Sequence, residues 1–152
     1  MSAADRRVPT FEGLVPASEK SSFCKRMNRR TDTRHERLLR SALWRRGLRF
    51  RKHVKALPGK PDIVFHARHL VVFCDGDFWH GRRWRLLARK LKFGANASYW
   101  PAKIHTNILR DRHHNRELTR LGWCVIRLWE TDILADADAC AARVEAALRA
   151  RG

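Results

Sequence analysis

Pro61-Asp62-Ile63-Val64-Phe65-His66-Ala67-Arg68-His69-Leu70-Val71-Val72-Phe73-Cys74 is the stretch on which the fold turns. Ile63 to Phe65 and Leu70 to Cys74 are short apolar runs, and His66 to Arg68 between them reads as a turn. That pattern predicts a β-hairpin. Neither run alternates apolar with polar residues. A continuous apolar run marks a strand buried on both faces, so helices must cover this sheet.

Working outward from the hairpin, the N-terminal side predicts a helix from about Thr33. Thr33 and Glu36 form an S/T-x-x-E capping box, Leu38, Leu39, Ala42 and Leu43 follow at helical spacing, and Gly47 stands where a helix ends. Arg49 to Lys52 reads as a short strand, and Pro58-Gly59 as a turn. Beyond the hairpin, residues 81–98 read as a basic, partly helical loop with Gly94 and Ala95-Asn96 in it. Residues 101–121 predict a helix opened by Pro101, with Ile104, Ile108, Leu118 and Leu121 as its apolar stripe. Gly122 closes it, Trp123 to Trp129 predicts another strand, and Ile133 to Ala150 an alanine-rich closing helix. The order α-β-β-β-α-β-α is that of a layered α/β domain.

The chain has 152 residues, which suits one domain, and its 44% apolar content is that of a folding chain. Residues 1–25 are polar and basic and read as a flexible arm; residues 26–152 form the domain. No run is long and apolar enough for a membrane span or a secretory leader. Lys and Arg number 33 against 15 Asp and Glu, for a net charge of +18. Such an excess favours a polyanion through counterion release. Arginine outnumbers lysine, so part of the excess is compositional habit. It is nevertheless concentrated over residues 1–60 and absent over 131–152, which habit alone does not produce. The four cysteines, Cys24, Cys74, Cys124 and Cys140, show no metal-ligand spacing, and reduced thiols in a cytoplasmic protein are expected.

Two places could carry chemistry. Asp62 opens an apolar strand just after the Pro58-Gly59 turn, where it could hold a hard cation or merely cap the strand. Cys74-Asp75-Gly76-Asp77-Phe78-Trp79-His80-Gly81 follows the second strand with two carboxylates, two adjacent aromatics and a histidine. Histidine there could accept a proton from water, since its pKa lies near neutrality. Phe78 and Trp79 could be core residues or a wedge for a base stack.

Gly59-Lys60-Pro61-Asp62-Ile63-Val64, Phe73-Cys74-Asp75-Gly76-Asp77-Phe78-Trp79-His80-Gly81, Tyr99-Trp100, Asn107-x-x-Arg110-Asp111 and Gly122-Trp123-x-Val125-x-x-x-Trp129-Glu130 together resemble the very short patch repair (Vsr) DNA mismatch endonucleases. The likeness is collinear from about Arg30 to Glu130. It implies a restriction-endonuclease-like fold of the PD-(D/E)xK type, a central mixed β-sheet flanked by helices in a single α/β domain. It also implies Mg2+-dependent nicking of one strand, 5′ of the thymine in T:G mismatches left by deaminated 5-methylcytosine. Asp62 would hold the metal, the Cys74 backbone carbonyl would join it, and His80 would act as general base. Glu36 falls where the family has a glutamate near the active site, beside its capping-box reading. Phe78, Trp79 and Trp100 would open the duplex; Arg82, Arg83 and Lys103, with Arg85, Arg89, Lys90 and Lys92, would meet phosphates. Asn107, Arg110, Asp111 and Asn115 would buttress the catalytic strands, and Trp123, Trp129 and Val125 would be core.

The chain departs from the family where many members bind structural zinc. Asp77, Arg82, Trp84 and Thr131 stand at those places, with no thiolate among them, so no structural zinc is expected and Trp84 is expected to hold the loop by packing. Asp75 replaces a histidine of some members and reads either as an extra metal ligand or as a turn carboxylate. Double-stranded DNA, T:G-mismatched, is the implied partner, with mismatch-repair proteins as further partners. The implied setting is a monomer in the bacterial cytoplasm, associated with the nucleoid. Two other readings stand beside this one: a restriction or defence nuclease acting on unmismatched DNA, and a non-catalytic DNA-binding module on a nuclease scaffold.

Overall fold

The computed structural model describes residues 31–152; the expected arm over residues 1–25 lies outside the described residues. Helix α1 runs Arg34–Arg45, and the Thr33 side chain caps it by accepting from the Glu36 backbone N–H. The capping box closes differently from its usual form: the Glu36 carboxylate accepts from the Asp32 N–H at 3.0 Å. After Gly47 comes β1, only Arg51–Lys52 and shorter than expected, because its ladder to β2 spans two residue pairs.

The hairpin forms as its pattern requires. Strands β2 (Ile63–Phe65) and β3 (Leu70–Asp75) pair antiparallel, with Ile63 opposite Val72 and Phe65 opposite Leu70. A single 3-10 turn, His66–Arg68, joins them and ends on left-handed His69. Every residue of β2 and β3 is buried. Strand β4 (Cys124–Trp129) lies parallel to β3, from Leu70 opposite Cys124 to Asp75 opposite Trp129. The sheet order is β1-β2-β3-β4, a mixed sheet.

Both faces of the sheet are covered. Ile63, Phe65, Leu70, Val72 and Cys74 point to one side, where Leu39, Leu43, Ile133, Val144 and Leu148 meet them. Val64, Val71 and Phe73 point to the other, onto Leu118. This is the period-2 alternation of strand side chains applied to an all-apolar run. Helix α2 (Trp84–Leu91) forms within the basic loop, and α3 (Trp100–Arg120) starts with Pro101 in its first turn. The closing segment is two helices rather than one, α4 (Glu130–Ala135) and α5 (Ala137–Ala150). Asp136 makes the break: its extended backbone ends α4, and its carboxylate accepts from the Ala139 N–H at 2.9 Å to start α5. No helix among the described residues is long and apolar enough to cross a membrane.

Candidate active site

The C-terminal end of β3 gathers the polar residues. Asp62, just before β2, accepts the Cys74 N–H on Oδ2 at 2.7 Å, which fixes its carboxylate across the hairpin. Glu36 of α1 is almost wholly buried, at 2% exposed, and so serves both as a helix-start residue and as part of this cluster. His53, just past β1, completes it: its Nε2 lies 2.9 Å from Glu36 Oε2, and its backbone N–H donates to the Asp62 carbonyl at 3.0 Å. One donor atom from each of Glu36, His53 and Asp62 lies within 4.8 Å of the others, a mixed oxygen and nitrogen set that suits a divalent cation. Burial pushes the Asp62 carboxyl up to about 7; the Cys74 N–H opposes this, and the nearby Glu36 and Asp75 charges add to it. A carboxylate so disfavoured as an anion is one that a bound cation would stabilise.

A second cluster sits beside the first. His80 Nδ1 is 2.6 Å from Asp111 Oδ2 of α3 and 3.7 Å from Asp75 Oδ1. With Nδ1 donating to Asp111, a neutral His80 keeps Nε2 as its free base. Burial lowers the His80 pKa, but the Asp111 hydrogen bond and the Asp75 and Asp111 charges outweigh it, and the net direction is upward. Asp111 moves the other way: burial raises it, and its His80 bond and the Arg127 and Arg110 charges hold it below the ordinary carboxylate range. Asp75 is 3% exposed, and Arg127 Nη1 donates to both of its oxygens at 3.0 Å. Arg127 in turn donates from Nε to Asn115 Oδ1 at 2.8 Å. The Asp75 carboxylate is thus ion-paired to Arg127, and one donor atom each of Asp75, His80 and Asp111 also lies within 4.8 Å of the others, a second group that could hold a cation.

The family model for DNA mismatch endonuclease Vsr matches residues 15–86. Type II nicking enzyme V.NmeDIP of Neisseria meningitidis serogroup C is 38% identical over 139 residues, 91% of each chain. The chain belongs to the Vsr family. Type II nicking enzyme V.NaeI of Lentzea aerocolonigenes is 40% identical over 147 residues, 89% of this chain and 83% of its own. The Escherichia coli DNA mismatch endonuclease Vsr is 37% identical over 99 residues, 65% of this chain and 62% of its own. This Vsr-family protein is therefore a DNA endonuclease, and its sheet with flanking helices is the small α/β restriction-endonuclease-like domain.

Within this Vsr domain the aromatics form one cluster. Phe78, Trp79 and Trp100 meet pairwise with ring centroids 5.3–5.6 Å apart, edge to face. Phe78 is exposed, Trp79 half-buried and Trp100 buried, so Trp100 supports the tip from beneath rather than sharing it. Asn107 of α3 anchors the tip's backbone, donating from Nδ2 to the Trp79 carbonyl at 2.9 Å. Gly81 is left-handed at φ 68°, and a Cβ there would stand 2.6 Å from Ile108 Cδ1, so only glycine lets the loop lie this close to α3.

The four positions that depart from the zinc pattern come together by other means. Asp77 accepts from the Thr131 hydroxyl and from its N–H at 3.3 Å. Arg82 binds Asp132 at 3.0 Å and faces Asp77 at 3.7 Å. Trp84 stacks on His105 of α3, centroids 6.2 Å apart. These side chains are a poor donor set for zinc and a good polar clip between the loop bearing Phe78 and Trp79 and the start of α4. Arg82, expected at phosphates, is held in that clip, whereas Arg83 is exposed and Lys103 half-buried.

Three residues of the site escaped the sequence reading. His53 and His35 stand at no motif spacing; His35 Nε2 lies 3.3 Å from the Cys74 carbonyl, the oxygen expected to face metal. Arg127 did leave a signal, a charge in the middle of a strand, but its partners are fifty-two residues away at Asp75 and twelve at Asn115. Asp111, Asn107 and Asn115 each buttress a named group, while Arg110 is exposed.

Proposed function

We propose that the protein nicks one strand of double-stranded DNA at T:G mismatches, with Mg2+ as cofactor, in very short patch repair of deaminated 5-methylcytosine. The observation that carries this reading is a convergence. The Asp62 cluster, the His80–Asp111 pair and the Phe78–Trp79 tip, drawn from α1, the hairpin, the loop after β3 and α3, meet around the C-terminal end of β3.

His80 Nε2 takes the proton from the attacking water, and Asp111 orients the ring and stabilises the imidazolium that results. When bound at Asp62 and Glu36, a divalent cation supplies Lewis acidity towards the scissile phosphate. The Cys74 carbonyl has two lone pairs, so the His35 contact and a cation are compatible there. Asp75 holds Arg127 and, through it, the spacing of the carboxylates rather than the metal itself. Phe78 and Trp79 unstack the mismatched step, which resists less than a paired one, while Trp100 backs them. Arg83, Arg85, Arg89, Lys90 and Lys92 are exposed along the basic loop and α2 and neutralise phosphates without reading sequence.

The test is nicking of a labelled T:G duplex and its T:A control, with Mg2+, by wild type and Asp62→Ala. Cutting confined to the T strand of T:G, and lost in the variant, is the expected outcome. Equal cutting of both duplexes would assign the site to a nuclease acting on unmismatched DNA. Salt-sensitive binding without cutting by either protein would leave only a DNA-binding module.

A further inference from the structure

We propose that His53 is a direct nitrogen ligand of the nuclease cation, joining Asp62 and Glu36 and turning the site towards manganese over magnesium. This rests on reading the Asp62 cluster as a metal-dependent nuclease centre, and it adds a residue that none of the recognisable motifs contains.

The geometry is that of a donor set. Two ligands at adjacent corners of an octahedron with bonds of about 2.1 Å lie about 3.0 Å apart. His53 Nε2 and Glu36 Oε2 are 2.9 Å apart, and the nearest Asp62 oxygen lies within 4.8 Å of both. Glu36 Oε2 also accepts the Asp32 N–H at 3.0 Å and faces Arg40 Nη1 at 3.5 Å, contacts that a bound cation would share or displace. The backbone holds His53 in place: it is left-handed, at φ 51°, with its N–H on the Asp62 carbonyl at 3.0 Å and the next N–H, of Val54, on the Pro61 carbonyl at 3.2 Å. Non-glycine residues adopt that conformation only where the surroundings impose it. The Cys74 N–H occupies Asp62 Oδ2, which leaves Oδ1 for an ion.

Chemistry then decides the metal. Magnesium takes hard oxygen ligands and gives up water reluctantly, whereas manganese accepts imidazole more readily. A site with two carboxylates and one imidazole therefore gains more from manganese than a carboxylate-and-carbonyl site does.

Manganese binding to the full chain, read by pulsed electron paramagnetic resonance, tests this without DNA or turnover. Wild type is expected to show nitrogen modulation on bound Mn2+, altered when histidine is labelled with 15N. His53→Asn, which tolerates the left-handed backbone, is expected to lose that modulation and to bind Mn2+ roughly tenfold more weakly. Its Mg2+ affinity should fall less. Bound Mn2+ without nitrogen modulation in wild type, or modulation persisting in His53→Asn, overturns the assignment of His53 and leaves the nuclease centre standing. If wild type binds no Mn2+, or Asp62→Ala binds it equally well, the metal-centre reading fails and His53 falls with it. The wild-type spectrum decides even if the variant folds poorly.

Discussion

Asp62→Asn should make the metal-free protein more stable at alkaline pH while destroying its nicking. The folded-state pKa of Asp62 is about 7 against an ordinary 3.8, with burial as the main cause. A raised acid takes up a proton on folding between those values, so wild type loses stability as pH rises from about 4 to about 7 and stays penalised above that. At about 1.4 kcal/mol per unit the full penalty is about 4 kcal/mol. Between pH 5 and pH 8 the change is about 2.5 kcal/mol. Asparagine has no such titration and can still accept the Cys74 N–H with its side-chain carbonyl. Urea unfolding of both proteins in chelator at pH 5 and pH 8 gives the double difference, in which any constant cost of the substitution cancels. The variant should gain on wild type by that 2.5 kcal/mol as pH rises, and Mg2+ should erase the gain by stabilising wild type alone. A pH-independent difference would refute the claim that Asp62 is a buried, charge-frustrated carboxylate waiting for a cation.

Four further outcomes follow from the same geometry. Asp111→Asn removes the charge that raises the His80 pKa and leaves only a neutral acceptor for its Nδ1–H, so the acidic limb of the nicking rate against pH should move to lower pH, with the maximal rate down about a hundredfold. Single-turnover nicking across pH measures both. Exhaustive chelation followed by Mg2+ alone should restore full nicking, because Asp77, Thr131, Arg82 and Asp132 hold the wedge loop without zinc; the paired change Asp77→Ala and Thr131→Ala should lower the preference for T:G over T:A while shifting the melting temperature little. Competition between the two duplexes reads that preference. Gly81→Ala should cost about 1–3 kcal/mol in unfolding, since its Cβ must displace Ile108 and adopt a left-handed backbone; unchanged stability would show that the loop is not pressed on α3.

The sequence by itself determined the hairpin, its burial on both faces and the layered α/β order. These depend on local patterns: Ile63 to Phe65 and Leu70 to Cys74 have no polar residue to turn to water, and Thr33 and Gly47 bracket a helix. Asp62, the aromatics and His80 were legible because they sit in contiguous, dense motifs. The split at Asp136 was missed because alanine-rich flanks favour helix, and a short carboxylate overrides them only once it caps the next turn. What tertiary structure alone decided is which groups meet. Strand register places Asp62 on the Cys74 N–H; the parallel β3–β4 ladder delivers Arg127 to Asp75; α3 brings Asp111 to His80 from thirty-one residues away. His53 joins Glu36 only because β1 ends beside β2 and α1 runs over that edge. Such contacts are set by how elements stack around a shared core. No spacing along the chain encodes them.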